Sequence, residues 1–566
     1  PDAQEWSPSG LLAKDRMLGT RRMLVTRMGS ACVRFGRQGW RCMATLGHAV
    51  GVDERVALAK EHYSDFTLQY PPRREYFKEL FRTHPGVSHA PANSLLLKDI
   101  CEGEEQPSAA YLRRHQLYVH IPFCEHKCSY CNFAVDTRRD SGLQAGYIDR
   151  IVAGLGHLET ALDREGCAID MHGIDIGGGT PTAVDARELD RLLAAVRPIK
   201  DRCSHPLPLS IETTPAIATQ YPERIRALKE GGIDRVSMGL QSTDDSVLAD
   251  MRRGREVGVS GRAVEALQRE GFERVSVDII FGLPGQSMEH WTTDLRRVVE
   301  LGVDVVTAYD CLYRGKGRSM VRSSPEVPSP HQYAEMYDYC HAYLTANGFH
   351  APYGSVNFSK RKDETGTSAY FEGRLRHGLQ YIGLGNYASS LCQDRWWFAP
   401  YHVDQWTSDV DSRLELLGSD ANVDELLAAY FPVGDCYTLP LEERAAKHAL
   451  LSLTFGVLDS STFSHAFGAS LESVYGDKLS YAMREGLLQR REEDDTVRYY
   501  ITSGSFNRVH QLRSLFYTDR AIGWLQAIKD DASRVYAHKR KRREAAAAAA
   551  ASALQTPAGQ SSATLQ

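Results

Sequence analysis

Residues 118–133 read YVHIPFCEHKCSYCNF, and three of the chain's twelve cysteines, Cys124, Cys128 and Cys131, crowd into this stretch. The spacing is Cys-x3-Cys-x2-Cys, with no fourth cysteine or histidine at a matching distance downstream. Structural zinc normally closes its tetrahedron with four protein ligands, and a four-iron cubane needs four cysteines for full ligation. Three thiolates therefore fit structural zinc poorly and leave one iron of a cubane open. Three buried thiols that merely fill space would not require this spacing.

Around the cysteines, short β-branched runs alternate with longer helical patterns. Strands are expected at Leu117–Ile121, Met171–Ile176, Pro208–Glu212, Asp234–Leu240, Arg274–Phe281 and Asp304–Tyr309. Helices are expected at Leu143–Arg164, Ala186–Val196, Pro222–Glu230, Gly258–Glu270 and Met288–Leu301, from apolar residues at three- and four-residue intervals. Six strands each coupled to a helix predict an α/β fold of parallel units, closed or partial. Ligands in such folds sit at the carboxyl ends of the strands. The unusual residues gather there: the cysteine loop follows the first strand, GGGTP (residues 177–181) the second, Glu212 ends the third, Gln241 the fourth, and Asp278 lies in the fifth.

The bulk numbers bound the class. A chain of 566 residues, 42% hydrophobic and 25% charged with a net charge of −5, describes an ordinary folded protein of several units rather than an obligate nucleic-acid binder. No apolar run of about 18 residues occurs, so no transmembrane segment is expected. Sparse cysteines and the lack of a secretory signal favour a reducing compartment. Leu11–His48 is arginine-rich with Asp15 as its one acid, the composition of a transit peptide or of a plain basic extension. The expected location is thus cytoplasmic or mitochondrial/organellar. From Lys539 onward a basic cluster, an alanine tract and a polar tail offer almost nothing to bury and read as disordered or as a frayed helix.

Several ordered motifs, YVHIPFC, GGGTPT, SIETTP, RVSMGLQS and VDIIFGLPGQ, resemble the radical S-adenosylmethionine (SAM) superfamily. Within it they resemble the branch of oxygen-independent coproporphyrinogen III oxidase (HemN) and the heme chaperone HemW. The resemblance runs from about residue 117 to 401 and more weakly to 517. It implies a partial (β/α)6 TIM-like barrel with a C-terminal α+β, winged-helix-like domain. It also implies a [4Fe–4S] cluster on Cys124, Cys128 and Cys131, with SAM on the open iron and cleaved by one electron to a 5'-deoxyadenosyl radical. By the same resemblance Gly178, Gly179 and Thr180 let backbone approach the methionine end, where a Cβ would intrude. Glu212, Gln241, Arg253 and Asp278 match positions that hold the amine, carboxylate and ribose hydroxyls, chemistry suited to an arginine fork and to carboxylates. Tyr118, Tyr130 and Leu312 match further cofactor contacts. An electron donor such as flavodoxin or ferredoxin is implied as a partner.

Two departures bear on the branch. The oxidases place another cysteine two positions after the cluster motif; here that position is Phe133, which argues against decarboxylation of coproporphyrinogen. The chaperones carry a heme-linked His-Asn-x-x-Tyr-Trp stretch. In RLRHGLQYIGLGNYASS (residues 374–390) His377 and Tyr381 are retained while Gly378 and Ile382 replace the asparagine and tryptophan. Histidine and tyrosine both ligate heme iron, and Arg374 and Arg376 suit propionates; a plain loop role for His377 is the competing reading. The resulting expectation is a heme chaperone delivering heme to acceptor hemoproteins. A coproporphyrinogen oxidase is the alternative, and a radical methyltransferase or cyclopropanase a further one.

The chain divides by this reading into a basic extension at 1–48, an N-terminal extension at 49–115, the core barrel at 116–345 and its heme- or substrate-bearing continuation at 346–435. A C-terminal HemN-like domain at 436–520 follows, then the tail at 521–566. The helices and hairpin expected between Leu439 and Ser505 would cover the barrel mouth or receive the substrate, with no nucleic-acid role claimed.

Overall fold

The structure is a computed structural model that describes residues 50–61, 113–163, 169–203, 205–253, 258–311 and 328–527. The stretch 11–48, the tail from Lys539 and Leu312 lie outside the described residues.

All six expected strands form: β1 Arg114–Ile121, β2 Asp170–Gly178, β3 Leu209–Thr213, β4 Arg235–Gln241, β5 Arg274–Phe281 and β6 Val305–Asp310. They pair in parallel and in chain order, β1 through β6. Helices Ser141–Leu162, Ala186–Asp201, Pro222–Glu230, Ser260–Arg269 and Met288–Glu300 connect them, within a few residues of the expected bounds. The apolar side chains of these strands, among them Val119, Ile174, Ile176, Ile211, Val236, Met238, Val277 and Val306, are buried in one continuous core shared with the helices. Their alternate partners are polar: Tyr118 and His120, Asp175, Ser210 and Glu212, Arg235 and Ser237, Asp278, Thr307. Because successive side chains leave a strand on opposite faces, this second set shares the concave face and makes a polar lumen.

The barrel does not close on itself. β6 is followed in the sheet by the antiparallel β7 (Asn357–Ser359). On the other side β1 pairs in parallel with β8 (Gln380–Leu384), with His115 opposite Gln380 and Val119 opposite Leu384. Antiparallel β9 (Ser389–Cys392), β10 (Arg395–Phe398) and β11 (Asp435–Thr438) extend that edge. A partial barrel is therefore the fold. Towards the C-terminus, helices Leu441–Ser452, Ser460–Phe467 and Leu471–Arg484 precede the hairpin β13 (Leu488–Glu493) and β14 (Thr496–Ile501), to which β12 (Val457–Asp459) adds a third strand. This is the expected winged-helix-like arrangement. No helix among the described residues is long and apolar enough to cross a membrane.

The C-terminal unit packs along the open side of the barrel. At the amino end of β8 the Ser452 hydroxyl donates to the Leu375 carbonyl, 3.3 Å, and beside the carboxyl end of β6 the Val356 N–H donates to the Thr454 carbonyl at 3.0 Å, with Ser355 bridged to Phe455. Phe506 stacks on Tyr337 of helix Pro330–Ala346 with ring centroids 3.8 Å apart, fastening the same unit to the outside of the barrel.

The turn after β4 is anchored by a buried carboxylate. Asp294 of helix Met288–Glu300 accepts from the Thr243 backbone N–H, the Thr243 hydroxyl at 2.6 Å and the Ser242 hydroxyl at 2.9 Å, and is fully buried. Removing it leaves several buried donors unpaired, each costing about 1–3 kcal/mol. Asp294→Ala is expected to lower the thermal midpoint by roughly 5 °C or more, measured by calorimetry; an unchanged midpoint would show that the turn re-forms its bonds elsewhere.

Candidate functional site

The cysteine loop springs from the end of β1 and is tied down at its root. Cys124 N–H donates to the Asp136 carbonyl at 3.0 Å and Asp136 N–H returns to the Pro122 carbonyl at 2.8 Å, so the loop leaves and re-enters as a pair. The glycine loop after β2 lies directly beneath. Gly179 N–H donates to the Ile121 carbonyl at 2.9 Å and Thr180 N–H to the Phe123 carbonyl at 2.8 Å. A Cβ on Gly179 would stand 2.4 Å from the Pro122 oxygen, and Gly178 has φ +127°, which favours glycine. The glycines are thus already required by contact with the cysteine loop itself. The Thr180 hydroxyl meets Cys124 Sγ at 3.4 Å.

The three thiols sit in unlike surroundings. Burial pushes the Cys124 thiol up to about 12, with the neighbouring Cys131 and Cys128 adding to it against the Thr180 hydrogen bond. Burial also raises Cys128, but His126, Arg253 and Tyr130 overcome it and hold that thiol below its ordinary value. Arg253 Nη1 approaches Cys128 Sγ at 4.0 Å and donates to the Tyr130 hydroxyl at 3.1 Å, while Nη2 donates to the Gly239 carbonyl. The Tyr130 ring packs on Val247, Met251, Ile280, Leu283 and Cys311. The loop can therefore hold a thiophilic metal centre: the three thiols lie close enough to act on one another's ionisation, and a guanidinium offsets their charge when ionised.

Gln241 ends β4 at φ 69°, an uncommon conformation for a residue with a side chain, and a β-bulge separates it from Gly239. A Cβ on Gly239 would meet Gln241 Nε2 at 2.6 Å, so the small residue makes room for the amide. Below them the lumen narrows to a cleft lined by Asp175, Ser210, Glu212, Arg235, Ser237, Asp278, Thr307 and Tyr309, and by Thr367 and Phe371 from a later segment. Burial raises Glu212 to about 8, helped by Asp278 and Asp175, and raises Asp175 to about 7 despite its hydrogen bond from Ser368. Burial raises Asp278 as well, against Arg235 and the Ser237 hydroxyl, which donates to it at 3.2 Å. Tyr118 lies against this group and stacks on Tyr370, centroids 5.5 Å apart.

Cys124, Cys128, Cys131, Tyr118, Tyr130, Gly178, Gly179, Thr180, Glu212, Gln241, Arg253 and Asp278 thus gather at the carboxyl ends and in the lumen. His377 and Tyr381 do not join them. His377 immediately precedes β8 and lies at the amino end, roughly 20 Å of strand from the cysteine loop. It is partly exposed, with Nε2 3.7 Å from Glu372 Oε1. Tyr381 is fully buried in β8, with the Arg374 guanidinium 4.4 Å from its ring centroid and Lys447 Nζ at 5.6 Å. Arg374 donates to the Tyr370 hydroxyl at 3.2 Å and Arg376 pairs with Glu372 at 3.1 Å, so both are engaged within the protein. Tyr381 is consequently a core residue in this geometry, because its strand is central in the sheet.

Sequence reading passed over His120, Asp175 and Arg235. His120 is buried, meets the Tyr118 hydroxyl at 3.3 Å and the Ala134 carbonyl at 3.3 Å, and burial lowers it to about 4. The signal available for all three was the period-two alternation of polar residues within otherwise apolar strands.

Two substitutions test the loop. Cys128→Ala is expected to abolish the four-iron absorbance after anaerobic reconstitution. Gly179→Ala, clashing with the Pro122 carbonyl, is expected to reduce cluster content several-fold. Gly156→Ala, whose Cβ meets nothing within 4 Å, serves as the control and keeps it. An intact cluster in Cys128→Ala overturns the ligand assignment.

Comparison with known proteins agrees with this geometry. Residues 118–298 match the model of the radical SAM superfamily. The heme chaperone HemW of Bacillus subtilis is 26% identical over 387 residues, covering 66% of this chain and 93% of its own length. HemW of Mycobacterium tuberculosis is 30% identical over 292 residues, covering 50% of this chain and 70% of its own length. The structure of coproporphyrinogen III oxidase (HemN) from Escherichia coli, a radical SAM enzyme, superposes with a TM-score of 0.57 at 21% identity, covering 72% of this chain and 91% of that one. With the cysteine loop, the strand-end motifs and the partial barrel in one order, this chain belongs to the radical SAM superfamily, in its HemN/HemW family.

Proposed function

We propose that the chain is a HemW-like protein that binds heme and passes it to acceptor hemoproteins, carrying a [4Fe–4S] cluster and SAM. The observation that carries the reading is Phe133. Where the oxidase branch offers a further cysteine, this chain presents a phenylalanine that is 57% exposed at the loop surface. The near full-length match to a heme chaperone supports the same choice.

In this proposal Cys124, Cys128 and Cys131 hold the cluster, and when bound it supplies, with SAM, one-electron reduction and a 5'-deoxyadenosyl radical. The chain's own work is placement. Arg253 gives charge-assisted donors beside the thiols, Gln241 projects an amide across Gly239, and Glu212 and Asp278 present carboxylates to cationic or diol groups. Tyr130 contributes an apolar wall that excludes water, and Tyr118 closes the lumen from below. An electron donor of the flavodoxin or ferredoxin kind is part of the proposal. So is the division into core (116–345), continuation (346–435) and C-terminal domain (436–520). For heme, His377 is the proposed contact: it is partly exposed, and Glu372 beside it can orient the imidazole. Tyr381 supports that segment from within.

Burial holds Glu212 near 8 and Asp175 near 7, so at neutral pH in the free protein Glu212 is mostly protonated and Asp175 partly so. A cationic ligand favours their ionised forms, so binding releases protons and tightens as pH rises through these values. SAM affinity is expected to rise about tenfold between pH 6.5 and 8.5, read by anaerobic calorimetry, with the slope flattened in Glu212→Gln. A flat profile in the unmodified protein removes Glu212 from the site.

The function itself is tested by heme titration and by 5'-deoxyadenosine release with and without coproporphyrinogen III. Expected are heme binding weakened at least tenfold by His377→Ala (about 1.4 kcal/mol), retained in Tyr381→Phe, and no decarboxylated product. Tetrapyrrole-dependent deoxyadenosine together with a vinyl product establishes the oxidase alternative instead.

A further inference from the structure

At the far end of β2 from the glycine loop lies a second group of ligating side chains. Asp170 and His172 stand two apart on one face of the strand, as period-two geometry requires. The loop after helix Ala186–Asp201 brings His205 against them. Asp170 Oδ2 is 2.7 Å from His172 Nε2, Asp170 Oδ1 is 3.7 Å from His205 Nδ1, and the two imidazole centroids are 4.7 Å apart. One atom from each residue falls within 4.8 Å of the others. Two ligands on one zinc with bonds near 2.0–2.1 Å lie about 3.3 Å apart, and the two observed separations straddle that value.

Two further observations describe the surroundings of this group. The exposed Arg114 lays its guanidinium on His172, with Nε 3.1 Å from Nε2 and Nη2 3.3 Å from Nδ1. An incoming cation competes with this guanidinium for His172. Arg114 begins β1 and can swing into solvent. His205 Nε2, moreover, is buried without a hydrogen-bond partner among the described residues.

We propose that Asp170, His172 and His205 form a zinc-binding site, with water completing the coordination. Two imidazole nitrogens and a carboxylate oxygen are a donor set suited to zinc and leave one position open. The site is separate from the cysteine loop: β2 spans the distance from Asp170 to Gly178, roughly 26 Å. It joins the start of β2 to the loop that feeds β3, so an ion there ties the amino end of the barrel together, and it stands whatever tetrapyrrole the protein handles.

The test uses the full chain with its iron–sulfur cluster reconstituted anaerobically, so that the cluster cysteines are occupied, and zinc chloride as the probe. Elemental analysis after exposure to micromolar zinc and desalting is expected to find about one zinc per chain. X-ray absorption is expected to show a nitrogen and oxygen shell near 2.0–2.1 Å. The His172→Ala/His205→Ala double variant is expected to bind zinc at least tenfold more weakly with iron content unchanged, and Arg114→Ala to bind it more tightly. Absence of zinc from the unmodified protein, equal retention in the double variant, or a sulfur shell near 2.3 Å overturns the proposal.

Discussion

The contact between the glycine loop and the root of the cysteine loop is the constraint on which the site depends. Two backbone hydrogen bonds join them, Gly179 to Ile121 and Thr180 to Phe123, and they approach so closely that a Cβ at position 179 would lie 2.4 Å from a carbonyl oxygen. The cysteine loop has no helix or strand of its own, and the glycine loop has only the end of β2 and the short 3-10 turn Pro181–Ala183. Each is positioned because β1 and β2 are paired in register up to their last residues, His120 opposite Gly177 and Ile121 opposite Gly178. The cysteines are therefore aimed by a sheet, and rigidity at the sheet end becomes rigidity at the sulfurs.

Beneath that contact the barrel is polar where a closed barrel would be filled with branched apolar side chains. Asp175, Glu212 and Asp278 face one another around Arg235, and burying three carboxylates against one guanidinium raises all three. Burying such groups is costly unless they are paired or protonated, and functional sites are where proteins retain them. The lumen is closed from the amino end by the segment that leads into β8. Ser368 donates to Asp175 at 2.6 Å and Tyr370 stacks on Tyr118, so the residues before His377 touch the same carboxylates that face the cysteine loop from the other side. The two ends of the molecule meet in this polar interior.

Much of the barrel was legible in the amino-acid order. Strand runs such as Arg274–Phe281 are short, β-branched and bounded by helical periodicity, and they formed where expected because local pattern and burial agree. The gathering of Cys124, Thr180, Glu212, Gln241, Arg253 and Asp278 was legible for the same reason: parallel units put the residues after each strand at one end. The position of the C-terminal helices was not legible, nor was the burial of Tyr381. Both depend on β8 pairing with β1, two strands far apart in the chain, and no local pattern specifies such a partner.

By itself, then, the sequence determined that parallel units would form, that three cysteines would crown the first of them, and that a fourth iron ligand would be missing. Those properties follow from periodicity and spacing, which act over a few residues. Only the tertiary structure decided that the glycines are demanded by backbone contact and that Asp175, His120 and Arg235 belong to the lumen. It also placed His377 at the end opposite the cluster loop. Each of these turns on which residues distant in the chain are brought within a few ångströms, a matter of strand register and close packing.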